Sequence, residues 1–300
     1  SAAMKCLKWF FVFFLLTGIG FTQEYEPAMS LHAMLRNIPS AKGGQPTWGG
    51  NFADILFAPA GDFSCKVLIK SGDQVLAEFP ATIAQRVGTI ARVRWKFQFT
   101  QLGTTPGPRS VEVYVNDKLA GVLPFSVAQT GGGDAFEPKG SFEFTGPWSD
   151  LAHFYYPTDA SSQQRVHFVY WAKQGDLGGP AKGMVDLVMR RGDKVLATSR
   201  AREVSYADYI RFDQDLLKAD GKALMAPDLA AMSGPFVVEL KHQGKVIKSY
   251  SGSIEGGKFT PHPRSELGLP DRTQFLSPRE MNDGGGSMSP HLYTWVIANP

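Results

Sequence analysis

Apolar and polar side chains change places at every second position over many short runs of this chain. Trp95, Phe97 and Phe99 alternate with Lys96 and Gln98, and Val111, Val113 and Val115 follow the same rule. A period of two puts one set of side chains on one face of a strand, so each run reads as a strand half covered by a core. The pattern predicts strands over 54–58, 64–70, 74–79, 93–100, 110–116 and 121–127. After a break it predicts 141–145, 153–156, 166–172, 184–190, 195–199, 209–213, 236–242 and 246–254. Ser71-Gly72-Asp73 and Asn116-Asp117-Lys118 supply tight turns, because Gly and Asn tolerate positive φ. Short strands at regular spacing with turn signals between them indicate a sandwich.

The pattern also repeats. Residues 65–78 and 185–198 each read as a strand, a Gly-Asp turn and a second strand. Gly107-Pro108 before Val111-Glu112-Val113 is answered by Gly234-Pro235 before Val238-Glu239-Leu240. The expected fold is therefore all-β, with two tandem immunoglobulin-like β-sandwich domains made by internal duplication. Domain 1 spans 48–128 and domain 2 spans 140–257. A Gly-rich hinge, 129–139, joins them, and a linker with a short helix around 31–35 occupies 23–47. Domain 2 carries an insertion, 216–232, read as a short helix or ordered loop.

Residues 258–300 form an extended C-terminal arm, rich in Pro and Gly and without a period. Its end, from His291 to Ile297, is apolar and strand-like. Two readings follow: an edge strand added to one module, or a strand added to a partner. On the second, deleting 287–300 weakens association and leaves both modules folded.

The N-terminus carries a different signal. Lys5 and Lys8 precede the apolar run Trp9, Phe10, Phe11, Val12, Phe13, Phe14, Leu15 and Leu16. This is the layout of a secretory signal, and the run is shorter than the ~20 apolar residues of a comfortable span. Residues 1–22 are expected to be a signal peptide or an uncleaved signal-anchor, in which case Trp9, Phe10, Phe11, Phe13, Phe14, Leu15 and Leu16 hold the membrane. The body is then exported, periplasmic and associated with the inner membrane. Cys6 precedes the run, which leaves Cys65 alone in the body and without an internal disulfide partner. Val185 occupies its slot in the second copy, so Cys65 reads as a buried apolar residue.

Charge and chemistry narrow the function. The formal net charge is +3 and the basic residues are scattered, whereas a nucleic-acid surface needs a clustered footprint. There is no Gly-x-Ser-x-Gly, no phosphate loop and no dinucleotide fingerprint. The histidines lie apart, without a His-x-x-x-His pair; His167 and His242 sit in predicted strands and a sheet can bring them close. Asp213, Asp215, Asp220 and Gly221 lack the spacing of a calcium loop. Asp208 and Asp213 offer an acid pair with nothing to place them in a cleft. Arg191-Gly192-Asp193 is explained by hairpin geometry, since Ser71-Gly72-Asp73 fills the same turn in the first copy. No cofactor and no metal are implied.

The expectation is a non-catalytic accessory or scaffold subunit of a bacterial membrane-associated envelope complex, binding protein subunits and no nucleic acid. The candidate partner-binding residues are Tyr155, Tyr170, Trp171, Leu292, Tyr293, Trp295 and Val296. Tyr155-Tyr156 and Tyr170-Trp171 are adjacent pairs, so one member of each is expected to face outward. The alternative is a periplasmic carbohydrate-binding sandwich pair, with these aromatics and Trp48 and Trp148 as a sugar platform.

Overall fold

The computed structural model describes residues 26–41, 44–131, 141–159, 163–173, 176, 183–204, 208–265, 271–283 and 289–300. The N-terminal apolar run, the centre of the Gly-rich hinge and Gly284-Gly285-Gly286 lie outside these residues. The protein is all-β and built from antiparallel sheets. In chain order the first elements are β1 (Ala28–Ser30), the single-turn helix α1 (Leu31–Met34), β2 (Thr47–Leu56), β3 (Cys65–Ser71), β4 (Gln74–Val87), β5 (Ile90–Gln101), β6 (Gly107–Val115), β7 (Lys118–Thr130) and β8 (Ser141–Thr145). There follow β9 (Leu151–Pro157), β10 (His167–Ala172), β11 (Gly183–Arg191), β12 (Lys194–Thr198), β13 (Arg202–Val204) and β14 (Ile210–Asp215). The last are β15 (Gly234–His242), β16 (Lys245–Glu255), β17 (Lys258–Phe259), β18 (Glu280–Asp283) and β19 (Ser289–Ile297).

The first sheet runs β1-β2-β5-β4-β3-β6-β7-β8. Its long strand β4 pairs with β3 along its first part and with β5 along its last. The ribbon thereby folds over on itself and closes a core around Val67, Ile69, Val93, Val111 and Val113, all fully buried. The residues read as a linker join that core: Met29, Leu31, Met34 and Leu35 are buried, and Met29 fills the space left by Gly121 on β7. β8 lies beside β7, so 141–145 belongs to the first sheet although it follows the hinge.

The second sheet runs β14-β10-β9-β19-β18, and the third runs β12-β11-β15-β16-β17 with β13 beside β11. Phe154, Phe168, Tyr170, Leu292 and Val296 of the second sheet share a core with Val185, Leu187, Val238 and Tyr250 of the third. Leu151, Val169, Trp171 and Trp295, on the opposite face, join the core of the first sheet. The second sheet is thus a middle layer covered on both sides. Its strands consequently read as near-continuous apolar runs, such as Phe168-Val169-Tyr170-Trp171-Ala172, instead of alternating.

This layering corrects two expectations. Neither Tyr170 nor Trp171 faces outward, because both faces of β10 are covered. The C-terminal arm is not free for a partner but adds two strands in cis: β19 is inserted between β9 and β18, with β18 at the sheet edge, and Leu292, Tyr293, Trp295 and Val296 are buried there.

Two four-strand meanders have the same plan. β4-β3-β6-β7 and β12-β11-β15-β16 share strand order, and the pair Cys65–Val115 corresponds to Val185–His242. The register shifts at Ile69/Lys70 and at Met189/Arg190, and again at Val113/Tyr114 and at Leu240/Lys241. Gly72 and Gly192 both open their turns with positive φ. Asn116-Asp117 and Gln243-Gly244 both place two positive-φ residues at the hairpin tip, as a type I′ turn requires. Residues 216–232 are an ordered loop ending in a 3-10 helix, Ala226–Met232.

Candidate functional site

The face of the middle sheet turned away from the third sheet carries the ionisable groups. Strand register aligns Asp215, His167, Tyr155 and Tyr293 in one row across β14, β10, β9 and β19. The next row is Asp213, Val169, His153 and Trp295, and Arg211 stands opposite Trp171 in the third. Directly opposed residues share a face and touch.

One end of this face is closed by α1. Leu31 and His32 donate backbone N–H bonds to the carbonyls of Phe275 and Leu276 at 3.1 and 3.2 Å, and the Ser30 hydroxyl donates to Leu276 at 2.8 Å. His32 then lies 4.5 Å from Tyr293 and 5.1 Å from His153, measured between ring centroids. Neither ring nitrogen of His153 has a hydrogen-bond partner among the described residues. Burial, and then the charges of His32, Arg211 and Arg36, hold its pKa well below the ordinary histidine value. His153 is therefore a neutral aromatic filler at this junction.

The other end opens into a cleft of about 530 Å³. On its floor, His167 Nδ1 lies 3.1 Å from Asp213 Oδ1 and 3.2 Å from Asp215 Oδ1. Tyr155 stacks on His167 at 4.6 Å and its hydroxyl donates to Asp213 Oδ2 at 2.9 Å. Arg211 reaches Asp213 at 3.6 Å and Arg165 reaches Asp215 at 3.5 Å. Burial pushes the Asp213 carboxyl up, but the His167 bond, the Arg211 charge and the Tyr155 bond outweigh it and hold the pKa below the usual carboxylate value. Arg200 and Arg202 also line the cleft. Its described lining includes no Ser, Thr or Cys to act as a nucleophile beside His167.

On the far side of Arg211 is a groove of about 520 Å³, bounded by Arg36, Phe97, Phe99, Asp208, Tyr209 and Arg211. Its wall is the end of β5. The last β4 partner of this strand is Arg94, paired with Thr82; beyond it β5 pairs with β2 alone among the described residues. Between the pairs Gly50–Gln98 and Phe52–Arg94, Trp95, Lys96 and Phe97 face the single residue Asn51. This bulge pushes the strand end outward. Phe97 and Phe99 are consequently 48% and 68% exposed, while Trp95 is buried. The sequence pattern placed all three on a core face. Gly49 accommodates both rings, for a Cβ there would stand 2.8 Å from Phe99 and 3.2 Å from Phe97.

The backbone of this edge faces outward at defined positions. Leu102 donates its N–H to Pro46, and Thr47 exchanges both backbone bonds with Ser40, on the side away from β5. Thr47–Gln101 is therefore a non-hydrogen-bonded pair. Gln101 and Phe99 thus turn their N–H and C=O away from β2, toward the open edge.

The remaining sequence candidates separate. His242 is on the third sheet with Nδ1 3.1 Å from the Met184 carbonyl, and does not meet His167. Asp208 borders the groove and Asp213 the cleft, so they form no acid pair. Arg191 of the Arg-Gly-Asp turn donates to the carbonyls of Pro235 and Met232. Asp220 binds the backbone of Lys222 within its own turn. Tyr155 is half-buried on the cleft floor, and Trp171, although buried, borders the groove. Among the described residues no group of His, Cys, Asp and Glu is placed to hold a metal, and no helix is long and apolar enough to cross a membrane. The charges at every second position of β14, Arg211, Asp213 and Asp215, were the sequence signal for this site; the arginines facing them come from distant segments.

Compared with family models, characterised proteins and solved structures, the chain matches none.

Proposed function

We propose that this chain is a non-catalytic accessory or scaffold subunit of an exported, envelope-associated complex, and that it receives an extended segment of a partner protein along the free edge of β5. The observation that carries the reading is the outward backbone of Phe99 and Gln101 beside two exposed phenylalanine rings. An unpaired edge with apolar side chains invites strand addition unless charge, proline or a cover blunts it. Here Lys96 is the one charged residue over 95–101. The basic and apolar N-terminal pattern supports export. The matched register, bulges and turns of the two meanders support an internal duplication of an immunoglobulin-like unit.

The test is co-purification in mild detergent from native membranes. A Phe97→Ser/Phe99→Ser chain is expected to lose its partner and keep its thermal stability. A Val246→Ser chain, altered at another exposed apolar residue, is expected to keep both. Equal partner recovery from all three chains would contradict the reading.

A further inference from the structure

The cleft beside Tyr155 has a charge pattern that strand docking at β5 does not use. Its two aspartates are already answered. Asp213 accepts from Tyr155 and lies beside His167 and Arg211, while Asp215 lies beside His167 and Arg165. Two further guanidinium groups remain. Arg200 and Arg202 are both exposed and both border the cleft. Among the described residues neither makes an ion pair with a carboxylate. The loop that carries them is fixed by its backbone: the Arg200 carbonyl accepts from Gln214 Nε2 at 2.7 Å and from the Ser199 hydroxyl at 3.2 Å. The second arginine starts β13, which is tied to β11 through the pair Arg202–Val185.

We infer that this cleft is a binding site for an acidic saccharide, a sugar unit bearing a carboxylate. A guanidinium is a planar fork of donors that matches a carboxylate in pairs of parallel bonds. Arg200 and Arg202 supply two such forks without a counter-ion among the described residues. Opposite them the Asp213 and Asp215 oxygens retain acceptor capacity, because an ionised carboxylate offers about four lone-pair sites. Hydroxyl groups suit those oxygens better than a second cation, since Arg165 and Arg211 already balance their charge. A hydroxylated ring with one anionic substituent meets both demands. A volume of about 530 Å³ falls within the range of small-ligand sites. The stacked Tyr155–His167 pair gives the floor a flat aromatic element. This inference is independent of the β5 edge and stands or falls without it.

The experiment is isothermal titration of the full chain with a galacturonate trisaccharide, a neutral galactose trisaccharide and inorganic phosphate. Each is titrated into the parent chain, Arg200→Ala and Arg202→Ala. Both positions are exposed, so the variants keep the parent melting temperature, checked by circular dichroism. The expected result is saturable binding of the galacturonate, weakened about tenfold or more by either substitution and weakened by salt. The neutral trisaccharide binds far less. Equal binding of acidic and neutral sugars would overturn the role of the arginines. Phosphate binding as tight as the galacturonate would overturn the saccharide assignment. No binding of any of the three, or unchanged binding in both variants, would overturn the site.

Discussion

Trp295 packs against His153 on the neighbouring strand, their ring centroids 4.5 Å apart. The contact joins the C-terminal strand to the centre of the molecule. Trp295 also donates its indole N–H to the Ser277 hydroxyl at 2.7 Å. Removing residues 289–300 therefore takes out an internal strand, not a tail. We predict that the truncated chain loses cooperative thermal unfolding, and that Trp295→Ala alone costs about 3–5 kcal/mol. Circular dichroism melts check both. A truncated chain that melts like the full one would refute the cis placement of β19.

His153 gives that junction a pH dependence. Its folded pKa is depressed, first by burial and then by the charges of His32, Arg211 and Arg36. The unfolded chain accordingly binds a proton at higher pH than the folded one does. Stability from this group is complete above the unfolded value of about 6.5, and falls as pH drops below it toward the folded pKa. Urea denaturation between about pH 5 and pH 7 should show this slope. His153→Phe should flatten it, and an unchanged slope in that variant would contradict the assignment.

Asp54 and Arg92 face each other across β2 and β5 in a forked pair, 2.7 Å at Nε and 2.9 Å at the second nitrogen. Asp54 is 2% exposed. Asp54→Ala breaks this forked pair in a largely dry site, at a cost of roughly 3–5 kcal/mol. In a double-mutant cycle with Arg92→Leu the two single losses should not add, because each removes the same pair. Chemical denaturation at neutral pH measures all three variants, and strictly additive losses would contradict the pairing.

Burial pushes the Cys65 thiol up to about 12, and the thiolate is the reactive form. In a Cys6→Ser chain, thiol labelling at neutral pH should be slow and should follow global unfolding as denaturant is added. Fast labelling of the native chain would contradict its enclosure.

The sequence made the meanders legible because they obey local rules: alternation set Val111, Val113 and Val115 inward, and Gly72 and Asn116 set the turns. It did not reveal the middle layer. A strand covered on both faces has no alternation to read, so Tyr170 and Trp171 passed for a pair with one exposed member. The arm lacked a period for the same reason, since Leu292 and Val296 face one core and Trp295 the other. Phe97 and Phe99 misled in the opposite sense. Their alternation is that of a core strand, but the bulge opposite Asn51 carries them clear of the sandwich. The cleft depended on contacts of long sequence separation, Arg165 with Asp215 and Tyr155 with Asp213, which no short motif encodes.

The measurement that tests the central claim most directly is partner recovery with Gln101→Pro. This residue turns its N–H toward the open edge, so proline there removes a docking donor and leaves the β2 ladder intact. The account predicts a chain with parental thermal stability that no longer co-purifies with its partner. Parental stability with undiminished co-purification would contradict docking on the β5 edge.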